Sequence, residues 1–500
     1  MDKYDLCVIG AGPSGYAAAM RAIDFKKKVL LVEKKQLGGA GIHHGALSSK
    51  TWWELSRDAK SMRRNGQTLD TNSNLKFNFL HIKSEVRKAV NERMTMLEHH
   101  MHNVNLTLGE DFLTYKSGVA KVVSQNQVQI TTVDGEETVE ADHVILATGS
   151  RPRVLPNIPI DEKVILTSDG IDKLEEFPKS IVILGAGVIG CEFATIFSNF
   201  GHTKVYLIDK GDRILPFEDE DIVRVVEKNF EEKNVVIHRN SKLLNMRVED
   251  NQVVYTLEYT DGYQEVFRVE KALVSVGRVP NYENLFDEDL GIEINKRGIV
   301  DEHTQTSVSN IYAVGDVTAD ISLVNVGELE GRYAVEQMFG GSSSKSPLVY
   351  DNISAIMFFS PEVAGVGLNE TAAQQKNINY KVASLDYSCI SRAVAMRNTQ
   401  GFIKILVTDD EEMKILGMRV IGEHASSAIE AVALLISMDK GIRELAELIH
   451  PHPSIIEGIQ ECVRMLLNNS VFKAGVLRDR MHCKAYRDGQ YVSLESGSES

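Results

Sequence analysis

The chain is poor in cysteine, and the spacing of the few it has suggests no pairing. Cys7, Cys191, Cys389, Cys462 and Cys483 are odd in number and scattered over 500 residues, with no CxxC or metal-ligand spacing. This excludes a disulfide framework and a cysteine-built metal centre, and no metal is expected. Cys7 and Cys191 lie in apolar runs and read as core packing. Positive charge is also short. Lys and Arg number 55 against 70 Asp and Glu, a formal net charge of −15, which lacks the basic footprint of nonspecific nucleic-acid binding. No apolar run is long enough to span a bilayer, so stable membrane insertion is not expected. The opening Met1-Asp2-Lys3-Tyr4-Asp5 carries no signal-like segment, and the expected location is the cytoplasm. With 43% hydrophobic and 25% charged residues, a globular chain of this length exceeds one core and predicts several domains.

One supersecondary plan occurs twice. The first copy runs from the apolar Leu6-Cys7-Val8-Ile9 through Gly10-Ala11-Gly12-Pro13-Ser14-Gly15 and a helical stretch to a second apolar strand ending in Glu33. The second runs from Ile181-Val182-Ile183-Leu184 through Gly185-Ala186-Gly187-Val188-Ile189-Gly190 to a strand ending in Ile208-Asp209. In such a unit the first glycine allows the tight turn, the second lets a pyrophosphate approach the backbone, and the third lets helix and strand pack closely. The helix N-terminus presents N–H groups to phosphate, and the terminal acid accepts from ribose hydroxyls. A single glycine loop can be a mere strand-to-helix turn; two complete units predict two dinucleotide sites, one for FAD and one for a nicotinamide dinucleotide. Asp209 favours NADH over NADPH. A 2′-phosphate about 4 Å from it would be repelled by roughly 4 kcal/mol at an effective dielectric of about 20, an upper bound because Lys210 and Arg213 could relieve it.

Further motifs follow in order: Ala147-Thr148-Gly149-Ser150-Arg151-Pro152, then Val276-Gly277-Arg278-Val279-Pro280-Asn281, then Ala313-Val314-Gly315-Asp316. Together with the two glycine loops they resemble the ATG, GRxPN and AxGD signatures of the flavoprotein disulfide reductases, a family with two dinucleotide-binding domains. Phe359-Ser360-Pro361-Glu362-Val363-Ala364 is similar to the family's C-terminal interface domain, so the resemblance runs from residue 4 to about 470. It implies an α/β fold with two Rossmann-like domains for FAD and NAD plus a C-terminal α+β interface domain. The expected boundaries are 1–152 and 280–347 for FAD, 153–279 for NAD(P), 348–470 for the interface and 471–500 for a C-terminal tail whose last residues are expected to be disordered.

The family's redox helix reads GGTCLNVGCIPSK. Here Gly38-Gly39-Ala40-Gly41-Ile42-His43-His44-Gly45-Ala46-Leu47-Ser48-Ser49-Lys50 keeps the outline, but Gly41 and Ala46 stand where the two thiols belong. The resemblance places Gly10, Gly12, Pro13, Ser14, Gly15, Glu33, Thr148, Gly149, Gly315 and Asp316 at the FAD site. It places Gly185, Gly187, Val188, Ile189, Gly190, Asp209 and Gly277 at the nicotinamide site. Lys50 and Glu192 match the family's ion pair beside the flavin; two unrelated surface charges are the alternative. His452 and Glu457, in His450-Pro451-His452-Pro453-Ser454-Ile455-Ile456-Glu457, fall on the family's acid–base dyad, which works across a dimer interface. Either the imidazole donates a proton to another acceptor, or it is an inherited, structurally satisfied histidine. His43 aligns with a histidine of some soluble pyridine nucleotide transhydrogenases, and acceptor binding and helix-start packing are both open readings for it and for His44.

The implied protein is a homodimeric FAD-dependent NAD(P)H oxidoreductase that cannot do dithiol chemistry, so lipoamide and glutathione reduction are excluded. Electrons from NADH would leave the flavin directly for a small non-disulfide acceptor, a quinone or similar molecule, since divergent relatives without the thiol pair reduce quinones. Replacing two thiols by small residues is expected to free volume for that acceptor. Transhydrogenation between two nicotinamide dinucleotides is the alternative, and a non-turnover flavin-binding redox module is a third reading.

Overall fold

The computed structural model describes residues 1–66, 76–109, 111–341 and 347–494. The chain divides into two compact units: Met1–Pro178 with Asn245–Val254 and Arg268–Leu348, and Lys179–Leu244 with Tyr255–Phe267 and Val349–Ser500.

The first unit is built on the strand Lys3–Ile9, whose continuous apolar run is buried on both faces as a parallel central strand requires. It lies between Val29–Glu33 and Gly135–Leu146, paired parallel to both, with Leu6 opposite Val29 and His143. Leu113–Ser117 extends one side, and Ile311–Ala313 pairs parallel with Gly135–Leu146. The helix Pro13–Asp24 starts with proline in its first turn, where no intrahelical N–H is needed, and buries Ala18, Ala19 and Ala22 against the sheet. Gly15 is required by space: a Cβ there would sit 1.9 Å from the Gly10 carbonyl oxygen. The long helix Phe79–Leu108, capped by the Asn78 side chain on the His81 N–H, contributes Leu97 and Val104 to the same core.

The second unit repeats the plan. Lys204–Ile208 pairs parallel with Ser180–Leu184 and Val236–His238, and the helix Val188–Phe200 is buried along most of its length. The same unit holds an antiparallel sheet with the spatial order Ser354–Met357, Val363–Gly367, Ile415–Ile421, Phe402–Thr408, Tyr380–Asp386, Met481–Arg487, Gln490–Ser493. Its inward side chains pack with the helix Glu457–Leu466 in one apolar cluster. The expected α/β plan with two Rossmann-like units and a separate C-terminal α+β element is observed. Residues expected to form a tail carry the two last strands of that sheet; 495–500, whose end was expected to be disordered, lie outside the described residues. Among the described residues, no helix is long and apolar enough to cross a membrane.

Candidate functional site

The two glycine loops share one hydrogen-bond pattern. In the first, Gly10 N–H donates to the Val32 carbonyl (2.8 Å), and the Glu33 carboxylate accepts from Ala11 N–H and Lys35 N–H, both at 2.8 Å. In the second, Gly185 N–H donates to the Ile208 carbonyl (3.0 Å), and Asp209 accepts from Ala186 N–H and Gly211 N–H, both at 2.9 Å. Each acid thus ties its own strand end to the middle of its loop and keeps lone pairs for a ligand hydroxyl. Gly12 and Gly187 are the residues immediately before their helices. A Cβ added at either would meet nothing within 4 Å, so each loop leaves open space in front of a helix N-terminus. That cradle fits the pyrophosphate of a dinucleotide.

The other motif residues of the first unit interlock around this loop. Ser14 packs on the Gly315 turn, where an added Cβ would lie 2.3 Å from Ser14 Oγ. Gly315 N–H donates to buried Glu330 (2.6 Å), and Asp316 accepts from Ser150 Oγ (2.7 Å). Ser150 is in turn held by Arg278, whose Nε donates to its hydroxyl and whose Nη2 donates to its carbonyl, both at 2.8 Å. Thr148 Oγ1 donates to the Asn281 carbonyl (2.6 Å), Asn281 N–H donates to the Gly149 carbonyl (2.9 Å), and Arg153 N–H donates to Gly277 (3.0 Å). Ser150, Arg278, Asn281 and Glu330 are therefore part of the assembly, although the motif reading singles out only their neighbours. Arg278 and Asn281 sit inside GRxPN and were within reach of that signal. Glu330 belongs to no motif, and only the fold, through its burial and its bond to Gly315 N–H, reveals it.

Glu192 is buried on the helix Val188–Phe200 and accepts from Phe358 N–H (3.1 Å). Val188, Ile189 and Gly190 form the first turn of that helix. Lys50, in the other unit, is half-buried on the helix Ala46–Gly66 and donates to Ser49 Oγ (3.3 Å). In the second unit His452 Nδ1 and Glu457 Oε1 are 2.8 Å apart, and Ser454 N–H donates to the other carboxylate oxygen (2.8 Å). Because a carboxylate only accepts, Nδ1 carries the hydrogen and Nε2 faces outward on a side chain that is 70% exposed. Burial opposes ionisation of Glu457, but the Ser454 N–H and His452 outweigh it and hold its carboxyl below the ordinary glutamate value.

The segment at the missing thiols departs from expectation in one respect. Gly41 lies in the short helix Gly39–Ile42, and a Cβ there would sit 2.5 Å from Pro13 Cγ and 3.1 Å from Pro13 Cδ. No volume is freed at this position, because the backbone rests on the first turn of the glycine-loop helix. The helix breaks after Ile42 and resumes at Ala46. His43 is buried and its Nε2 bonds the Leu37 carbonyl (2.9 Å), whereas His44 is exposed.

All five cysteines are free. Burial pushes Cys7 up to about 12 and raises Cys191 and Cys462 well above an ordinary thiol, so none of these three offers a thiolate. Cys483 is buried in the strand Met481–Arg487 and is fixed in the sheet. Among the described residues, no group of three or more His, Cys, Asp or Glu could hold a metal ion.

Comparison with known proteins agrees with this geometry. Residues 4–331 match the family model described as pyridine nucleotide-disulphide oxidoreductase, and 353–463 match its dimerisation domain. A dihydrolipoyl dehydrogenase of Bacillus subtilis is 33% identical over 465 residues, covering 92% of this chain and 97% of that protein. A leghemoglobin reductase of Glycine max is 31% identical, covering 92% of this chain and 87% of that protein. The crystal structure of LpdA from Mycobacterium tuberculosis is similar with a TM-score of 0.83 and 26% identity, covering 93% of this chain and all of that one. The chain belongs to the pyridine nucleotide-disulphide oxidoreductase family: it is an FAD- and NAD(H)-dependent oxidoreductase that carries the family's dimerisation domain and has no close pair of cysteines.

Proposed function

We propose that this chain oxidises NADH through FAD and passes the electrons directly to a small non-disulfide acceptor, a quinone or similar molecule. The observation that carries this reading is the lack of any thiol at Gly41 and Ala46, combined with five free cysteines placed elsewhere. In this reading Gly10, Gly12, Pro13, Ser14, Gly15, Glu33, Thr148, Gly149, Gly315 and Asp316 hold FAD. Gly185, Gly187, Val188, Ile189, Gly190, Asp209 and Gly277 hold the nicotinamide dinucleotide. Bound flavin supplies two-electron chemistry with nicotinamide and with the acceptor.

The chain's own side chains then have limited tasks. Lys50 and Glu192 orient the reacting rings. Glu457 fixes His452 with its Nε2 outward, where the imidazolium hands a proton to the reduced acceptor. In a homodimer each His452 serves the partner subunit's flavin. Asp209 disfavours a 2′-phosphate and makes NADH the preferred donor. His43, bonded to Leu37, serves packing instead of acceptor binding.

Stopped-flow reoxidation of the NADH-reduced protein tests the assignment. Fast reoxidation by a quinone, slowed by His452→Ala but leaving reduction by NADH unchanged, is expected. Reoxidation by thio-NADP in place of quinone would turn the assignment to transhydrogenation. Turnover with lipoamide would overturn it.

A further inference from the structure

We propose that the C-terminal hairpin, Met481–Arg487 and Gln490–Ser493, clamps the second glycine loop, with Tyr491 and Lys484 as positioning residues for the nicotinamide site. This rests on the reading of Gly185–Asp209 as that site. The hairpin lies beyond residue 463, where the match to the family's dimerisation domain ends.

Ala186, in the middle of the loop, accepts from Leu215 N–H at 3.0 Å. Leu215 is fully buried at φ 48°, a left-handed conformation that a branched residue adopts only when its surroundings hold it. The next residues are anchored tightly. Glu218 accepts from Arg419 Nε (3.1 Å to each oxygen) and from Asn369 Nδ2 (2.7 Å). Asp219 accepts from Glu370 N–H (3.1 Å), Thr371 N–H (2.8 Å) and Thr371 Oγ1 (2.9 Å).

The charges there need the hairpin. Lys404, almost wholly buried, meets Asp219 and Asp221 at 2.8 Å and Glu370 at 3.0 Å, so three carboxylates share one ammonium. The hairpin brings the second cation. Lys484 Nζ lies 3.4 Å from Glu370 and 3.9 Å from the Tyr491 ring centroid, and Tyr491 OH donates to Glu370 at 2.9 Å. Without these two side chains Glu370 keeps excess negative charge and loses a donor, and its hold on Lys404 and on the Asp219 turn weakens.

The test is Tyr491→Phe with Lys484→Met, with Tyr491→Phe alone as the milder variant, read by amide exchange without nucleotide and by NADH kinetics. Exchange of the Leu215 to Asp221 amides is expected to speed up about tenfold, the loss of roughly one charged hydrogen bond. The KM for NADH should rise by a similar factor with kcat and retained FAD unchanged, whereas Lys484→Arg with Tyr491 kept should leave both near wild type. Wild-type exchange at Leu215 in a variant whose hairpin amides exchange freely would overturn the clamp. If the unaltered protein takes no NADH, the site reading fails, and the exchange data alone decide the clamp.

Discussion

Gly41 shows how a single missing side chain can be a packing requirement as well as a chemical loss. The outline of the redox helix is plain in Gly38 to Lys50, and so is the lack of thiols. What the sequence cannot display is that Gly41 rests on Pro13, because that contact depends on how two distant turns come together. Gly41→Cys should therefore lower stability by about 1–3 kcal/mol, as overpacking does, and reduce the FAD retained on purification. Thermal denaturation and the flavin-to-protein absorbance ratio would measure this; Ala46→Cys alone should be milder. A Gly41→Cys/Ala46→Cys protein that folds normally and reduces lipoamide would contradict the account. Asp301 is a second residue-scale case. Burial, reinforced by Asp320, raises its carboxyl to about 6, although Thr304 N–H donates to it at 2.8 Å. The unfolded chain gives up this proton first, so stability should fall as pH rises from the ordinary 3.8 towards 6. Asp301→Asn should flatten that slope in urea titrations; an unchanged slope would remove Asp301 as its cause.

At the scale of elements, the strands and glycine loops were readable because continuous apolar runs and turn residues agree with one another. The last two strands were harder to see. Met481, Cys483 and Ala485 are buried while His482 is exposed and Lys484 and Tyr486 are partly exposed, a period-two signal, but the basic composition around it masks a half-buried strand. The cluster around Lys404 was invisible for a different reason: its members come from separate stretches of chain and meet only in the fold. Burial opposes the charge on Asp219 and Glu370, but Lys404 outweighs it, and both carboxyls lie below their ordinary values of 3.8 and 4.5. Groups depressed in this way add stability above those values and lose it as pH falls through the folded ones. The second unit should accordingly lose stability in acid as pH falls below the ordinary carboxyl values and through the lower folded ones. Lys404→Met, which strands the carboxylates, should cost about 3–5 kcal/mol at neutral pH. Differential scanning calorimetry across pH would check both; a Lys404→Met protein with unchanged stability would show that the buried charges are not coupled.

For the whole molecule, the two dinucleotide units and the interface sheet make up an FAD- and NAD(H)-dependent oxidoreductase without a close pair of cysteines. The two dinucleotide sites were legible in the paired glycine loops ending in Glu33 and Asp209, and the family in the motifs at Thr148, Arg278 and Asp316 that follow them in order. The acceptor was not readable, because the positions that would disclose it hold glycine and alanine. All five cysteines are free and none stands at position 41 or 46, so the redox helix lacks the thiol pair of a dithiol enzyme. An anaerobic titration with NADH, followed by flavin absorbance, tests this most directly. Complete bleaching by a single equivalent of NADH per chain, with no further uptake, is expected. Consumption of a second equivalent before the flavin is fully reduced would reveal a hidden dithiol and contradict it.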